Sequence, residues 1–356
     1  SDVCSSDLKI KLHSCTTFAS AQSQITLDDD YNVPDYRPDI VKVLKEKGEL
    51  HFDEVKAAAG AAWLKGRLVF RVLYRSDQEN GKISCLKGEI PFQEKLNMDG
   101  VQEYDVIQAS GEIEDLTIGV IHSRKISVRA VILLKTEEPQ EKEDELCVGI
   151  EADDGCEKRY RNTNILQLLC MKRDQCRQKS EITLPSSKPN VQEILWKSLE
   201  IRNLDTKMGQ DGVKLSGEVL ISVLYQEEEE TDRVQWYETV IPLDCGVECD
   251  AGTEADIIYK VKARPASMEL EVKPDYDGEE RVLVLELVMN LDIRVWKEQE
   301  ISMLEDIYSL KKEIIPVRTG VTLQHISVKN DSQCRLTEQM ELAESQEKIL
   351  QICSCE

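Results

Sequence analysis

From Leu64 to Tyr74 the chain alternates: Leu64, Gly66, Leu68, Phe70, Val72 and Tyr74 fall on one side, and Lys65, Arg67 and Arg71 on the other. A period of two is the mark of a strand with one face in a core and the other largely in water. The same alternation returns with Leu215, Gly217, Val219, Ile221, Val223 and Tyr225 inward and Lys214, Ser216, Glu218 and Ser222 outward. It appears again in Ile126, Val128, Ala130, Ile132 and Leu134, and in Leu283, Leu285, Leu287, Met289 and Leu291. A glycine inside such a strand predicts a bulge or a close backbone approach before it predicts a ligand site.

The two halves of the pattern are copies. Pro38 and Pro189, Leu44 and Leu195, Gly66 and Gly217, Tyr74 and Tyr225, and Pro91 and Pro242 are each 151 residues apart, with no gap between Pro38 and Pro91. Such self-similarity marks tandem modules. Pro38, Ile40, Val43 and Leu44 match Pro189, Val191, Ile194 and Leu195 in type as well as place. Proline suits the first helical position and the i, i+3, i+4 spacing gives one apolar stripe, so each set predicts a short helix, closed in the first copy by Gly48. Polar, acidic stretches at 76–82 and 226–233 then predict hairpin turns. The return strands end in Ile90 and Pro91, and in Ile241 and Pro242; proline has no N–H for a ladder, which places each pair at a strand end or a sheet edge.

Beyond Asp105 and Asp256 the register slips by about six residues, since the second copy has a longer acidic loop at 273–278 and loops absorb insertions cheaply. Between the copies, Glu137, Glu138, Glu141, Glu143, Asp144 and Glu145 predict a linker or solvated loop. Gln175, Cys176, Arg177, Ile182 and Leu184 then return as Gln333, Cys334, Arg335, Met340 and Leu342, at an offset of 158. Ser345, Ile349 and Leu350 imitate the start of a module once more before Glu356, which predicts a truncated third copy.

The expected fold is therefore mainly β, with tandem sandwich-like or barrel-like modules that each carry one short helix. The expected organisation is an irregular N-terminal segment (1–23), a first module (24–136), a connector (137–180), a second module (181–299), a second connector (300–339) and the start of a truncated third module (340–356). Residues 1–8, SDVCSSDL, resemble translated adaptor sequence and carry no fold expectation.

Composition narrows the functional classes. A chain of 356 residues has room for two or three domains with cores of their own. Against 68 Asp and Glu, 45 Lys and Arg leave a formal charge of −23, which repels nucleic-acid backbones and anionic lipid. No apolar run is long enough for a transmembrane helix, and the first residues lack the pattern of a secretory signal. The 12 cysteines match no compact disulfide framework, so reduced thiols in a cytosolic compartment are expected. Cys245 with Cys249, and Cys353 with Cys355, are the only close pairs, and no matching second pair completes a zinc site.

No catalytic, cofactor or metal residue is assigned. The chain has no phosphate-binding glycine loop and no G-x-S-x-G elbow. His13, His51, His122 and His325 occupy no repeated position that would pair with a nucleophile. Asp28, Asp29 and Asp30 lack the spacing of an EF-hand, and Glu227 to Glu230 form a solvated acidic loop rather than a general-acid pair. Trp63, Trp196, Trp236 and Trp296 could stack on sugars, but they fall at non-equivalent positions and are expected to pack.

These repeats resemble the SPOCS domain of spore-coat morphogenesis proteins in spore-forming Firmicutes. The likeness rests on ITLDDDYNVPDYRPDIVKVL, its counterpart ITLPSSKPNVQEIL, the Gly-to-Leu-Tyr strands, the Ile-Pro returns and GEIEDLTIGVIHSRKISVRA. Members of the SipL type resemble tandem SPOCS modules followed by a LysM domain, whose pattern this sequence does not show. The resemblance implies a non-enzymatic, cytoplasmic scaffold of the mother cell that binds the coat's morphogenetic ATPase at the forespore surface, with peptidoglycan contact through a LysM domain. The alternative is a cell-wall glycan-binding protein whose β modules themselves hold peptidoglycan.

Overall fold

Strands that alternate between apolar and polar residues must bury one face, and here each half of the chain does so by closing two sheets over one core. The computed structural model describes residues 7–78, 82–151, 156–209, 211–228, 233–249, 257–310, 313, 315, 320–325 and 336–338. The first half holds β1 (Asp7–Asn32), β2 (Ile40–Ala58), β3 (Ala61–Ser76), β4 (Ile83–Asn97), β5 (Gln108–His122) and β6 (Lys125–Ile150). The second repeats the order with β7 (Cys156–Thr183), β8 (Val191–Gly209), β9 (Gly212–Glu227), β10 (Val234–Glu248), β11 (Ile257–Pro274) and β12 (Glu280–Ser309). Sheets β2-β3-β4 and β1-β6-β5 form one sandwich, β8-β9-β10 and β7-β12-β11 the other, with antiparallel pairing throughout.

The alternation predicted from the sequence is the alternation found. Leu64, Leu68, Phe70, Val72 and Tyr74 are buried beneath β6, whose Ile126, Val128, Ala130, Ile132 and Leu134 are fully enclosed. Leu215, Val219, Ile221, Val223 and Tyr225 repeat this against Leu283, Leu285, Leu287, Met289 and Leu291. At about 1.5–3 kcal/mol for each fully buried large side chain, these two clusters dominate the favourable side of folding. Each tyrosine also reaches a partner at its polar end: Tyr74 donates to the Pro38 carbonyl at 3.0 Å and Tyr225 to the Pro189 carbonyl at 3.2 Å.

The short helix expected in each module is absent; every regular element among the described residues is a strand. The apolar spacing that mimicked a helix comes from β-bulges. Register shifts fall between Ile40 and Lys42 and between Val43 and Lys45, and again between Val191 and Glu193 and between Ile194 and Trp196. Each bulge inserts one residue, so two in succession turn a period of two into a spacing of three without leaving the strand. Gly48 closes no helix. It sits inside β2, where a Cβ would stand 2.9 Å from the Ile113 side chain across the sandwich.

The acidic run from Glu137 to Glu145 is not a loop either. It extends β6 beyond the sandwich as a two-stranded ribbon with the start of β1, whose lysines meet part of its charge: Lys9 pairs with Glu145 at 3.0 Å and Lys11 with Glu143 at 2.6 Å. The start of β7 and the end of β12 form a second ribbon, from Cys156 paired with Ser309 inward. The two ribbons meet through Leu12, Leu146, Ile165 and Ile301. Leu323, which stands 158 residues after Ile165, joins the same cluster, held by the bond from the Leu166 N–H to the Gln324 carbonyl at 2.9 Å. The expected start of a third module at 340–356 lies outside the described residues, as do residues 1–6.

Ile-Pro does not end either return strand, because β4 and β10 run on past it; both are outer strands, so Pro91 and Pro242 sit at sheet edges and break no ladder. In the loop that slips the register, Asp275 takes the Asp277 and Glu279 N–H groups at 2.9 and 3.1 Å, and Gly278 adopts φ 85°. The first copy replaces all this with a tight turn through Ser123 and Arg124. No helix among the described residues is long and apolar enough to cross a membrane.

Candidate interaction surface

The chain leading into β2 and β8 passes through a proline-rich turn, and an arginine from the opposite sheet organises each one. Arg124 donates to the carbonyls of Val33 (3.1 Å), Pro34 (2.9 Å) and Arg37 (2.6 Å), and to Asp39 at 3.1 Å. Arg281 does the same for Pro185 (2.9 Å) and Lys188 (3.1 Å), and reaches Asn190 at 3.3 Å. The planar guanidinium, with five donors in a fixed fork, suits such convergent carbonyls. Both arginines follow the register slip and stand 157 residues apart, the offset that Ile126 and Leu283 also share.

The first of these turns presents Arg37 to the neighbouring module. Arg37 makes a two-pronged bond to Glu193 on β8, at 3.1 and 2.6 Å, and Glu193 holds the Arg37 guanidinium well above its usual range. The Cys85 thiol donates to the same carboxylate at 3.8 Å, and burial, then Glu193, pushes it up to about 11. Beside this polar cluster, Leu73, Ile83 and Cys85 of the first module close against Leu195, Trp196, Leu224 and Val234 of the second. Leu73 and Leu224 are repeat equivalents, as are Ile83 and Val234, so matching outer faces of two matching sheets meet here. Lys45 lies 5.3 Å from the centre of the Trp196 ring, a cation–π contact between two further equivalents. Lys197 is half-buried at the margin of this contact, and burial, then the nearby Arg71, brings it down to about 8. Charged and apolar groups here hold two modules together, and burial with Glu193 keeps the Cys85 thiol protonated at neutral pH.

The residues weighed in the sequence are dispersed. Trp196 is buried in the inter-module contact and Trp236 flanks the same Leu224 on β10, while Trp63 is exposed on β3 beside Lys95 and Trp296 is half-buried on β12. His13 lies 3.6 Å from Glu143, and the ring of His122 accepts the Arg124 N–H at 3.2 Å. His51 is on β2, and His325 follows the second ribbon. Asp28, Asp29 and Asp30 are consecutive residues of β1 and so alternate between faces, with Asp30 paired to Lys125 at 2.7 Å. Among the described residues no group of three or more His, Cys, Asp and Glu side chains is placed to hold a metal ion. Glu227 is buried and accepts from Gln235 at 2.8 Å, against its expected place in a solvated loop; Glu229, Glu230, Cys353 and Cys355 lie outside the described residues. The cysteines depart from the expected reduced thiols, because Cys176 and Cys245 are joined as a disulfide between β7 and β10.

A family model described as SipL, SPOCS domain, matches residues 39–121 and 190–273. The two spans begin 151 residues apart. Each takes in one three-stranded meander, β2-β3-β4 or β8-β9-β10, and nearly all of the strand that follows, β5 or β11. The ribbon-forming strands β1, β6, β7 and β12 lie outside them. Comparison with curated proteins and with solved structures gave no match.

Proposed function

The chain carries two SPOCS domains in tandem, and from that premise we propose that it is a non-enzymatic scaffold of spore-envelope assembly that binds a coat morphogenetic protein at the forespore surface. One observation carries the reading: each half of the chain matches the SPOCS model over equivalent strands. The domain family is of the scaffold type, and its link to sporulation points to the coat. The partner we infer is the coat's morphogenetic ATPase, met in the mother-cell cytoplasm, with any peptidoglycan contact made through a LysM domain rather than through these modules. Docking by strand addition fits the architecture, since each three-stranded sheet has two outer strands and a partner strand can satisfy their main-chain groups.

A tagged full-length chain recovered from sporulating cells is expected to bring down the morphogenetic ATPase, and the purified chain to stay in the supernatant with sedimented peptidoglycan. Recovery of no coat protein, together with normal coat attachment in a deletion strain, would sink the proposal. Cosedimentation with peptidoglycan would favour the glycan-binding alternative.

A further inference from the structure

Strands β7 and β10 are outer strands of the two sheets of the second module, and they run side by side at one open edge of the sandwich. Side chains already tie them: Lys172 donates to the Glu248 carbonyl at 2.6 Å, Gln178 to the Pro242 carbonyl at 2.8 Å, and the Asp244 N–H to Gln178 at 3.0 Å. Cys176 and Cys245 bridge them covalently, with their Cα atoms 6.1 Å apart. Farther along, the Sγ atoms of Cys170 on β7 and of Cys249, just past the end of β10, stand 3.3 Å apart, in van der Waals contact. Cys170 is half-buried and reachable from solvent, whereas Cys249 is enclosed in the core.

The first module shows that these are paired places in the fold. Counting back 151 residues, Cys170 and Cys249 become Ala19 and Met98, which pack in one apolar cluster; Cys176 and Cys245 become Ile25 and Glu94. The geometry brings the two strands equally close in both modules, and only the second places sulfur at both pairs of positions.

We propose that Cys170 and Cys249 form a thiol–disulfide exchange site whose substrate is a small soluble disulfide, and that its product is a second staple, leaving the second module doubly cross-linked between β7 and β10 and the first module without any cross-link at this edge. The Cys170 thiolate attacks one sulfur of the small disulfide, breaking its S–S bond and releasing one thiol. The Cys249 thiolate then attacks the Cys170 sulfur of the mixed disulfide, forming the Cys170–Cys249 bond and expelling the second thiol. Both protons leave with the two small thiols, and the two electrons lost by the cysteines reduce the small disulfide. Exposure sets the order, because the outer thiol meets the reagent and the enclosed one resolves it. Burial of Cys249 also shields it from a second reagent molecule.

The test is peptide mapping without reduction, on the full chain equilibrated in glutathione buffers of rising oxidation and then alkylated. The expected result is two linked peptide pairs, Cys176 with Cys245 and Cys170 with Cys249, the second appearing without alkylation at either cysteine. Cys170 or Cys249 found alkylated, or capped by glutathione, in buffers where Cys176 and Cys245 are already linked would overturn the proposal. Thermal melting gives a second readout: the oxidised chain should melt several degrees above the reduced one, and Cys170→Ala should lose part of that gap while keeping the Cys176–Cys245 peptide. An unchanged gap in Cys170→Ala would likewise count as refutation.

Discussion

Tyr74 and Tyr225 show how much one residue can contribute when its two ends meet different surroundings. Each ring is fully buried in its module's core, and each hydroxyl reaches the carbonyl of the proline just before the preceding strand. Tyr74→Phe and Tyr225→Phe should each lower stability by about 1 kcal/mol, the usual net worth of a buried neutral hydrogen bond. Because the two sites share no partner, the double variant should lose the sum, within about 0.5 kcal/mol, as read from urea midpoints at constant m. These tyrosines were legible in the sequence because they sit on the gapless offset. Arg124 and Arg281, which lock the same turns, were not, since no local pattern marks an arginine that will fold back onto carbonyls across a sandwich. The Arg37–Glu193 bond was equally hidden: an exposed-looking arginine and glutamate are unremarkable until two modules bring them together.

Among the elements, the sequence revealed strands wherever a strict period of two survived and misled wherever bulges interrupted it. The predicted helices at Pro38 and Pro189 were pairs of bulges, and their recurrence at equivalent places in both modules marks them as part of the fold. The bulges at Phe18 and Leu169, in β1 and β7, are also 151 residues apart, so the gapless repeat begins well before Pro38 and pairs Val33 and Pro34 with Leu184 and Pro185. The two ITL triplets, at Ile25 and Ile182, stand 157 residues apart and so lie six residues out of that register. The strand glycines fulfil the sequence expectation directly. A Cβ on Gly66 would collide with the His51 carbonyl beside the bulge at Asp53, while on Gly217 it would stand 3.0 Å from the Arg202 carbonyl, beside Asn203 at φ 51°. Gly66→Ala should therefore cost more than Gly217→Ala, by on the order of 1–3 kcal/mol in chemical denaturation, as overpacked core positions do. The charged ribbon at 137–145 shows no period of two, and the strand it pairs with lies more than a hundred residues earlier, in β1.

At the scale of the molecule, two sandwiches are joined by matched sheet faces near Trp196 and by the stacked ribbons, neither of which the pattern along the chain could disclose. Lys197 offers a way to measure the first contact. In the folded chain it titrates near 8, against 10.5 for an unperturbed lysine, so between those values the unfolded chain binds a proton that the native one lacks, and stability rises with pH. Below pH 8 the native lysine carries its proton at the full burial penalty. Lys197→Met should accordingly stabilise the chain at pH 7, by on the order of 2 kcal/mol, and the advantage should shrink as the pH is raised from 8 toward 10.5. A constant difference across that range would place Lys197 in water. The ribbons bear on a different property. Leu12 and Leu146 of one ribbon and Ile165 and Ile301 of the other close one small apolar cluster, which Leu323 joins from outside both. Coupling of this kind acts between neighbours, so a fault in one ribbon is felt first by the ribbon packed against it.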